Sequence, residues 1–356
     1  MIGRRVLTAL VLLAATAAGA GMRYHAVTPG RPMAFPADFG SHPDYRTEWW
    51  YVTGWLATDK GDPLGFQITF FRTKPDIDPE NPSAFTPHQL LLAHIAISDP
   101  KLGRLWQDQR IRRAGLGLAE AAEGDTHVWI DNWSLRRERG LYQALIPADG
   151  FALKLEFAAT QPPLLNGDAG FSRKGPTAGA ASYYYSLPHV KVTGTIVRSG
   201  KTDTVTGDAW FDHEWSSEYL DRQAVGWDWI GINLDDGSAL MAFRTRAEDG
   251  TPRWGGATLR AGDGRVQSFG PSEVEFTPRR SWRSMRTGVT YPVEWHVRVG
   301  SRDLDLVPLI DDQENDTRLS TGAIYWEGAV RAFHDGQLVG HGYLELTGYG
   351  KKLRLR

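Results

Sequence analysis

The chain has 356 residues and a formal net charge of −2, from 40 Lys and Arg against 42 Asp and Glu. A nearly neutral chain provides no field that would attract nucleic acid or an acidic surface, so the sequence gives no reason to expect either partner. The chain contains no cysteine, which excludes disulfides, thiol nucleophiles, thiolate metal sites and a lipoprotein anchor. A chain of this length can bury enough apolar surface to fold without crosslinks, as two domains.

The first 20 residues are predicted to be a cleavable signal peptide. Arg4 and Arg5 form a basic start, residues 6–17 are apolar, and Ala18-Gly19-Ala20 fits a small-residue cleavage site. The apolar run is short for a membrane span, and an uncleaved anchor is the alternative. We therefore predict a periplasmic or secreted protein that is cut near Ala20 and keeps no stable membrane span.

Composition and turn chemistry predict antiparallel strands after this segment. The chain has 39 glycines and as many tryptophans as phenylalanines, 14 of each, a composition typical of β-proteins with many tight turns. Residues 21–47, 74–88 and 160–182 are rich in proline or glycine and are predicted to be extended or loops. The strands predicted in the first half are 48–57, 64–72, 89–98, 126–137, 140–146 and 151–158.

The second half repeats this pattern. Glu48 to Leu56, with its following turn and a strand that ends Phe71-Arg72, resembles Trp227 to Leu234, whose following strand ends Phe243-Arg244. A repeat of half the chain length indicates two related domains that each begin with a tryptophan-rich hairpin. The strands predicted in the second half are 183–199, 204–215, 226–234, 238–246, 254–261, 272–278, 290–299, 302–308, 322–334 and 338–348.

The sequence therefore predicts an all-β fold of two tandem antiparallel β-barrels. The N-terminal barrel is placed at 21–195 and the C-terminal barrel at 196–356. Many short strands with regular turns favour barrels or sandwiches. An aromatic barrel lining would form a container, although an interdomain groove lined by the same residues would leave the same pattern.

The segment from Gly207 to Trp215 is the densest cluster of polar and aromatic residues. Side chains alternate along a strand, which gives two faces: Trp210, Asp212 and Glu214 on one, and Phe211, His213 and Trp215 on the other. A buried histidine beside carboxylates can be tuned to transfer protons near neutral pH. The alternative, of equal weight here, is a structural histidine that bonds a backbone carbonyl.

Three further residues have two possible interpretations each. Asp228 lies between Trp227 and Trp229 and is either a site carboxylate or the partner of an arginine, and the repeat sets it opposite Trp50. Glu345 is either a buried proton donor with a raised pKa or, as favoured here, a solvated or arginine-paired residue. His94, inside an apolar strand, is expected to be a satisfied core histidine.

Other site classes find no support in the motifs. The chain has no Gly-x-Ser-x-Gly elbow, no glycine-rich phosphate loop and no His-Glu-x-x-His. Asp212, His213 and Glu214 are adjacent on a strand and point to opposite sides, so we expect no metal site from them.

Six motifs together resemble a known family. They are Glu48-Trp49-Trp50-Tyr51-Val52-Thr53-Gly54, Phe66-Gln67-x-Thr69-Phe70-Phe71-Arg72, Tyr184-Tyr185-Ser186, Trp210-x-Asp212-His213-Glu214-Trp215, Tyr325-Trp326-Glu327-Gly328 and Gly342-Tyr343-x-Glu345-Leu346-Thr347-Gly348-Tyr349. In this order they resemble the AttH-like proteins, which are described as predicted secreted hydrolases and are related to carotenoid 1,2-hydratases of the CrtC type. The resemblance covers nearly the whole chain after the signal peptide.

The resemblance implies two lipocalin-like domains, an isoprenoid or acyl lipid ligand and, in the hydratase branch, addition of water to a terminal double bond without a cofactor. It carries a functional histidine and tryptophan onto His213 and Trp215. The hydratases also use a tyrosine and an aspartate in a following strand, and the segment Ala239–Arg244 has neither. Protonation of an alkene needs a positioned acid, and aromatic faces stabilise the resulting cation by about 0.5–2 kcal/mol each.

The sequence thus nominates one site and leaves its function open. The predicted catalytic residues are His213, Asp212, Asp228 and Trp215. The predicted ligand-binding residues are Trp49, Trp50, Tyr51, Trp210, Trp227, Trp229 and Tyr185. The first alternative is a hydratase or hydrolase, with no cofactor or metal. The second is a non-catalytic periplasmic lipid-binding or chaperone protein, with an ABC-type transporter permease as a possible partner. A glycan-binding barrel is the third.

Overall fold

Regular structure in this protein is almost entirely β-strand. The computed structural model describes residues 24–77, 81–83 and 85–353, so the predicted signal peptide lies outside the described residues. Besides strands, these residues contain two short 3-10 turns, Ala37–Phe39 and Pro271–Glu273, which confirms the all-β prediction. No helix in the described part of the chain is long and apolar enough to cross a membrane.

The first sheet contains 13 strands, and neighbouring strands are antiparallel. Their order is β4-β3-β2-β1-β13-β12-β9-β8-β7-β6-β5, with β10 and β11 paired to β12. The bounds are β1 Thr47–Thr58, β2 Pro63–Thr73, β3 Leu90–Asp99, β4 Arg104–Arg113, β5 Ala119–Ala121, β6 His127–Ile130, β7 Trp133–Glu138, β8 Leu141–Pro147, β9 Phe151–Ala158, β10 Leu164–Leu165, β11 Phe171–Arg173, β12 Ala181–Arg198 and β13 Lys201–Glu218.

The second sheet contains ten strands, again paired antiparallel. Their order is β17-β16-β15-β14-β23-β22-β20-β19-β18, with β21 paired to β22. The bounds are β14 Gly226–Leu234, β15 Ala239–Arg246, β16 Pro252–Arg260, β17 Val266–Phe269, β18 Val274–Arg283, β19 Thr290–Val299, β20 Arg302–Pro308, β21 Glu314–Thr317, β22 Ala323–His334 and β23 Gln337–Leu346.

Each sheet curls around its own apolar core, as an alternating pattern with one inward face requires. Trp50, Phe66 and Phe211 belong to the first core, whereas Trp295 and Trp326 belong to the second. The ends of each sheet approach one another, β3 and β4 against β5 and β6 in the first, and β15 and β16 against β18 in the second. The two sheets therefore form two nearly closed barrels.

The predicted domain division lies within a paired strand of the first sheet. A division between residues 195 and 196 would cut the hairpin of β12 and β13, whose strands pair from Arg198 with Lys201 onward. Both strands belong to the first sheet, and the next strand, β14, belongs to the second. We therefore propose a domain boundary at 219–225, because the β12–β13 hairpin completes the first barrel.

The strand register also corrects one detail of the repeat. Glu48 pairs with Arg72 in the first hairpin, and Asp228 pairs with Arg244 in the second. Measured from the shared Phe-Arg ending, the counterpart of Asp228 is Glu48 rather than Trp50. The two barrels thus share a carboxylate–arginine pair at the same position.

A third apolar cluster lies between the barrels. Tyr51, Trp210, Trp229 and Tyr343 belong to it, and all four lie on the outer faces of strands from the two sheets. Strands β1 and β13 of the first sheet are therefore buried on both faces, one in the barrel core and one against the second barrel. This contact layer encloses the cavity described next.

Candidate functional site: an acidic aromatic cavity between the barrels

A cavity of about 270 Å³ lies between the two barrels. Trp49 and Tyr51 of β1 line one side, and Trp227 and Trp229 of β14 line the other. Tyr51 meets Trp229 edge to face with ring centroids 5.3 Å apart. The matching hairpins of the two repeats therefore face each other across the cavity, because each presents its alternate aromatic side chains outward.

Strand β13 supplies two carboxylates to the same cavity. Asp212 and Glu214 line it, while Phe211 and Trp215 pack in the core of the first barrel. The predicted division of this strand into two faces is confirmed. Strand β13 pairs with β1, and both strands lie at the contact between the barrels. The face of β13 that carries Asp212 and Glu214 therefore borders the cavity.

Asp212 is buried and fully hydrogen-bonded. Its carboxylate accepts bonds from Tyr184 Oη at 2.7 Å, Ser186 Oγ at 2.5 Å and Trp210 Nε1 at 2.7 Å. Burial raises the pKa of Asp212 to about 7, and these three donors limit the rise. Asp212 is therefore a group that can exchange a proton near neutral pH.

Glu327 and Glu345 form a carboxyl pair on neighbouring strands. They are directly opposite in the register of β22 and β23, and both line the cavity, with Glu327 buried and Glu345 half-buried. Trp227 Nε1 donates to Glu345 Oε2 at 2.8 Å. Burial raises the pKa of both groups, and for Glu327 the charge of Glu345 raises it further. Two adjacent carboxyls without a cation beside them favour holding a proton.

Two polar atoms at this pair lack a well-aligned hydrogen bond. Tyr51 Oη and Glu327 Oε1 are both buried and lie near each other, but they do not meet the geometry of a hydrogen bond. Burying such a group without a partner costs roughly 1–3 kcal/mol. Both residues line the cavity, so a ligand or water placed there can satisfy them. This makes them the strongest indication of where a ligand binds.

Glu214 differs from the other carboxylates because it has a cation beside it. Lys174 Nζ lies 2.8 Å from Glu214 Oε1, and Ser182 also donates to this oxygen. The ammonium lies over the rings of Tyr184, Tyr219 and Phe243, at 4.3–5.3 Å from their centroids. Burial lowers the pKa of Lys174 and raises that of Glu214, and the ion pair opposes both shifts. This pair closes one wall of the cavity.

His94 lies on the opposite wall and is fully hydrogen-bonded. Its Nδ1 is 2.9 Å from Tyr325 Oη and its Nε2 is 2.9 Å from Ser320 Oγ. Burial lowers the pKa of His94 to about 3, so the ring is neutral at physiological pH. The expectation of a satisfied histidine is met, although the partners come from the second barrel and the ring borders the cavity.

Four residues of the predicted site lie inside the first barrel instead. Trp50, Tyr185 and Trp215 belong to its core, and His213 lies between them with Nε2 at 2.9 Å from Glu48 Oε1. Their side chains point inward on β1, β12 and β13, away from the cavity. The predicted site is thus divided, since Asp212 is the one predicted catalytic residue among those that line the cavity.

Asp228 occupies a third place, inside the second barrel. It accepts from Arg244 Nε at 2.7 Å, Arg246 Nε at 3.0 Å and Tyr349 Oη at 2.9 Å. These contacts agree with the second interpretation of Asp228, the partner of an arginine. Of the predicted ligand-binding residues, Trp210 packs behind the cavity and bonds Asp212, while Trp49, Tyr51, Trp227 and Trp229 line it.

Comparisons with known proteins identify the family. The model of the AttH-like family matches residues 26–349. The chain belongs to the AttH-like family. A Nitrosomonas europaea protein assigned as AttH, whose crystal structure is known at 2.00 Å resolution, is 52% identical with a TM-score of 0.86 over 91% of this chain and 99% of that chain. No curated protein sequence matches the chain.

Two more distant crystal structures share the fold of this AttH-like chain. Kievitone hydratase from Nectria haematococca is 15% identical, with a TM-score of 0.70 over 92% of this chain and 96% of that one. CghA in complex with Sch210972 is 13% identical, with a TM-score of 0.53 over 86% and 89%. At these identities the likeness is one of fold alone. The resemblance and the lipocalin-like architecture drawn from the motifs are confirmed.

Proposed function

We propose that this protein is a hydratase-type lyase that adds water to a carbon–carbon double bond of an apolar isoprenoid or acyl substrate in the interdomain cavity. The observation that carries the proposal is the Glu327–Glu345 pair in the cavity, where Glu327 Oε1 and Tyr51 Oη lack a well-aligned hydrogen bond. These groups lie among tryptophan faces in a cavity large enough for part of a hydrocarbon chain. Apolar walls with a few convergent polar groups are typical of small-molecule sites.

Glu327 is the group best placed to supply the proton. Burial and the charge of Glu345 raise its pKa well above the ordinary value, which favours the protonated form that a general acid requires. Transfer of this proton to one alkene carbon forms a C–H bond and leaves a cation on the other carbon. The faces of Trp49, Trp227 and Trp229 would stabilise that cation by about 0.5–2 kcal/mol each.

Water then adds to the cation. The hydration as a whole neither oxidises nor reduces the substrate. Its oxygen forms a C–O bond to the cationic carbon, and one of its protons passes to a carboxylate in the cavity. The Glu327 carboxylate accepts it, either directly or by relay through Asp212, whose pKa lies near 7. The acid is thereby restored, so one proton and one hydroxyl have been added to the substrate.

The relatives support the reaction class. Kievitone hydratase, named for a hydration reaction, has this two-barrel fold. The fold by itself does not fix an activity, and the acid pair in the cavity is the additional support from this chain. We further propose a periplasmic or secreted location, on the basis of the signal-like residues 1–20.

The test is to incubate the purified protein with a panel of prenyl and acyl alkenes in ¹⁸O-labelled water. Substrate-dependent formation of a labelled alcohol is expected, and Glu327→Gln should abolish it. Glu120→Gln, at an exposed carboxylate of β5, is the matched control and should keep full activity. A labelled product that forms equally well with Glu327→Gln would show that the proton comes from another group.

The alternative function is binding without catalysis, in lipid transport or as a chaperone beside an export transporter. It is favoured by the same apolar cavity in a lipocalin-like fold. Native mass spectrometry of the protein from its own cells, followed by lipid extraction, separates the two functions. A retained lipid that is never converted would support binding, whereas a retained alkene that yields its alcohol would support the hydratase.

A further inference from the structure

A second cluster of titratable side chains lies in the first barrel, and one member, Glu48, also borders the interdomain cavity. His42 Nδ1 and His213 Nε2 approach the same oxygen, Glu48 Oε1, at 2.7 Å and 2.9 Å. All three potential ligand atoms lie within 4.8 Å of one another. His213 and Glu48 are fully buried, and His42 is nearly so. The proposed hydration makes no use of this cluster.

The atoms on the far side of each group are already bound. Asp38 Oδ1 lies 3.1 Å from His42 Nε2, Tyr185 Oη lies 3.0 Å from His213 Nδ1, and Arg72 Nε donates to Glu48 Oε2 at 2.8 Å. Metal-ligating histidines almost always have their other ring nitrogen bonded to a carboxylate, carbonyl or similar group, and ligating carboxylates are likewise hydrogen-bonded. The three inner atoms are thus held in a convergent orientation by outer contacts of the expected kind.

The two imidazoles are also fixed by stacking. His42 stacks on Trp215 with ring centroids 3.7 Å apart and 6° between the planes. His213 stacks on Trp50 at 4.8 Å. This stacking limits rotation of both rings, whose inner nitrogens face Glu48 Oε1.

We propose that His42, Glu48 and His213 bind one divalent transition-metal ion of the zinc or ferrous-iron type. Ligands at about 2.0–2.2 Å from a tetrahedral ion lie roughly 3.3–3.6 Å apart, so the two contacts to Glu48 Oε1 need to open by about 0.4–0.9 Å. Two imidazoles and one carboxylate suit these metals. Arg72 pairs with Glu48, and Arg31 pairs with Asp38. The charged groups around the proposed ion therefore carry no net charge of their own.

The location of the ligands gives the ion a structural consequence. Glu48 lies on β1 and His213 on β13, whereas His42 belongs to the segment that precedes the first strand. Bound metal would therefore fasten residues 24–46 to the first barrel. A ligand that binds the folded state and not the unfolded chain raises the melting temperature. Removal of the metal should lower it.

The first measurement is the metal content of the full-length protein, purified without a chelator from cells grown with added zinc and iron. Elemental analysis should find about one equivalent per chain, since a buried three-ligand site with bound outer groups retains its ion. The protein is then unfolded with a chelator and refolded with Co²⁺. Visible absorption bands that saturate at one equivalent, and a melting temperature that falls without metal, are the expected results.

Variants locate the site. Glu48→Gln and His213→Gln should lose the Co²⁺ spectrum, and Asp38→Asn should weaken metal affinity about 10- to 100-fold. His94→Gln, a similarly buried histidine outside the cluster, should retain full metal content. If the ligand variants do not fold, the wild-type protein still decides. Absence of Zn, Fe, Mn, Ni and Co from it, no Co²⁺ bands and a melting temperature independent of chelator would overturn the proposal.

Discussion

Carboxylates buried in the barrel cores differ from those buried between the barrels. Glu48 and Asp228 each lie next to an arginine, at the equivalent position of the two repeats. Burial would raise the pKa of Glu48, but the charges of Arg72 and His42 outweigh it and hold the pKa well below its usual range. Glu48 and Arg72 also border the interdomain cavity. The Glu327–Glu345 pair in that cavity has, by contrast, no arginine in contact, and the pKa values of both groups are raised.

This difference separates a structural use of buried charge from a chemical one. An ion pair in a barrel core is stable only when both partners are present and charged. A proton gained or lost by either partner therefore costs several kcal/mol of stability, on the order of the cost of removing that partner. A carboxyl pair in a cavity, with atoms that lack well-aligned hydrogen bonds, is poised to exchange protons and to bind a ligand. The duplication thus kept the same carboxylate–arginine pair in both cores and placed the reactive groups on the surface where the two copies meet.

The largest effect is expected on turnover. Glu327→Gln removes the proposed proton donor without changing its size, and we expect hydration to fall by about 10²- to 10⁴-fold. The free energy of unfolding should stay within about 1 kcal/mol of wild type, because the raised pKa of Glu327 favours its neutral form and one oxygen lacks a well-aligned hydrogen bond. Product formation and denaturant unfolding are measured on the same preparation. A large loss of stability would place Glu327 with the structural carboxylates and weaken the comparison.

The next effect concerns a carboxylate in a barrel core. Asp228→Asn leaves Arg244 and Arg246 buried without their charge partner, and we expect the free energy of unfolding to fall by about 3–5 kcal/mol. Urea denaturation followed by tryptophan fluorescence measures it. Glu345→Gln, in the cavity, is the matched control and should cost less than 1 kcal/mol beyond the lost bond to Trp227. Equal losses in both variants would remove the distinction between core and cavity.

The alternation of β13 could be predicted from the sequence because a period of two is a local property of an extended chain. Which face is functional could not, because both faces of β1 and β13 are buried, one in a barrel and one against the other barrel. His213 and Trp215 are predicted site residues because of the polar and aromatic cluster around them and the family resemblance. In the structure their aromatic neighbours belong to the core of the first barrel. The sequence repeat predicts the two barrels, whereas the cavity forms only where the two barrels pack together.

The Glu327–Glu345 pair shows a second limit of sequence reasoning. The two-residue Asp335-Gly336 turn joins β22 to β23 and sets His334 opposite Gln337, which by simple counting would pair Glu327 with Leu344. An irregularity between Ala332 and Phe333 shifts the register by one residue and brings Glu327 opposite Glu345. A one-residue shift exchanges the faces of a strand, so no count along the sequence would have revealed this pair.

The pH dependence of stability provides a further test of the comparison. The pKa of Asp212 is about 7 in the folded protein, above the ordinary value near 4. The folded state therefore holds a proton that the unfolded chain releases, and the stability that this gives is lost as the pH rises from about 4 to about 7. Asp212→Asn should flatten this decline, by on the order of 1 kcal/mol per pH unit.

Unfolding free energies at pH 4, 5.5, 7 and 8 decide this prediction. For Glu48 the sign is opposite, because its pKa is lowered and its contribution is lost only as the pH falls below its ordinary range. A wild-type stability that rises steadily from pH 5 to 8, with the same slope in Asp212→Asn, would mean that Asp212 is ionised throughout. The cavity carboxylates would then behave like those of the cores.

The smallest effect distinguishes two tyrosines of the interface. Tyr51 Oη lies near Glu327 but makes no well-aligned hydrogen bond, whereas Tyr184 Oη donates to Asp212 and accepts from Trp229 Nε1 at 3.0 Å. Tyr184→Phe should lower the free energy of unfolding by about 1–3 kcal/mol, because it leaves an acceptor and a donor unsatisfied. Tyr51→Phe should leave it unchanged or raise it slightly. Since a hydroxyl that lacks a well-aligned hydrogen bond contributes more to a bound molecule than to the fold, Tyr51→Phe should instead weaken ligand affinity, measured by tryptophan fluorescence quenching. A loss of stability without a loss of affinity in Tyr51→Phe would show that its hydroxyl has a structural partner in solution.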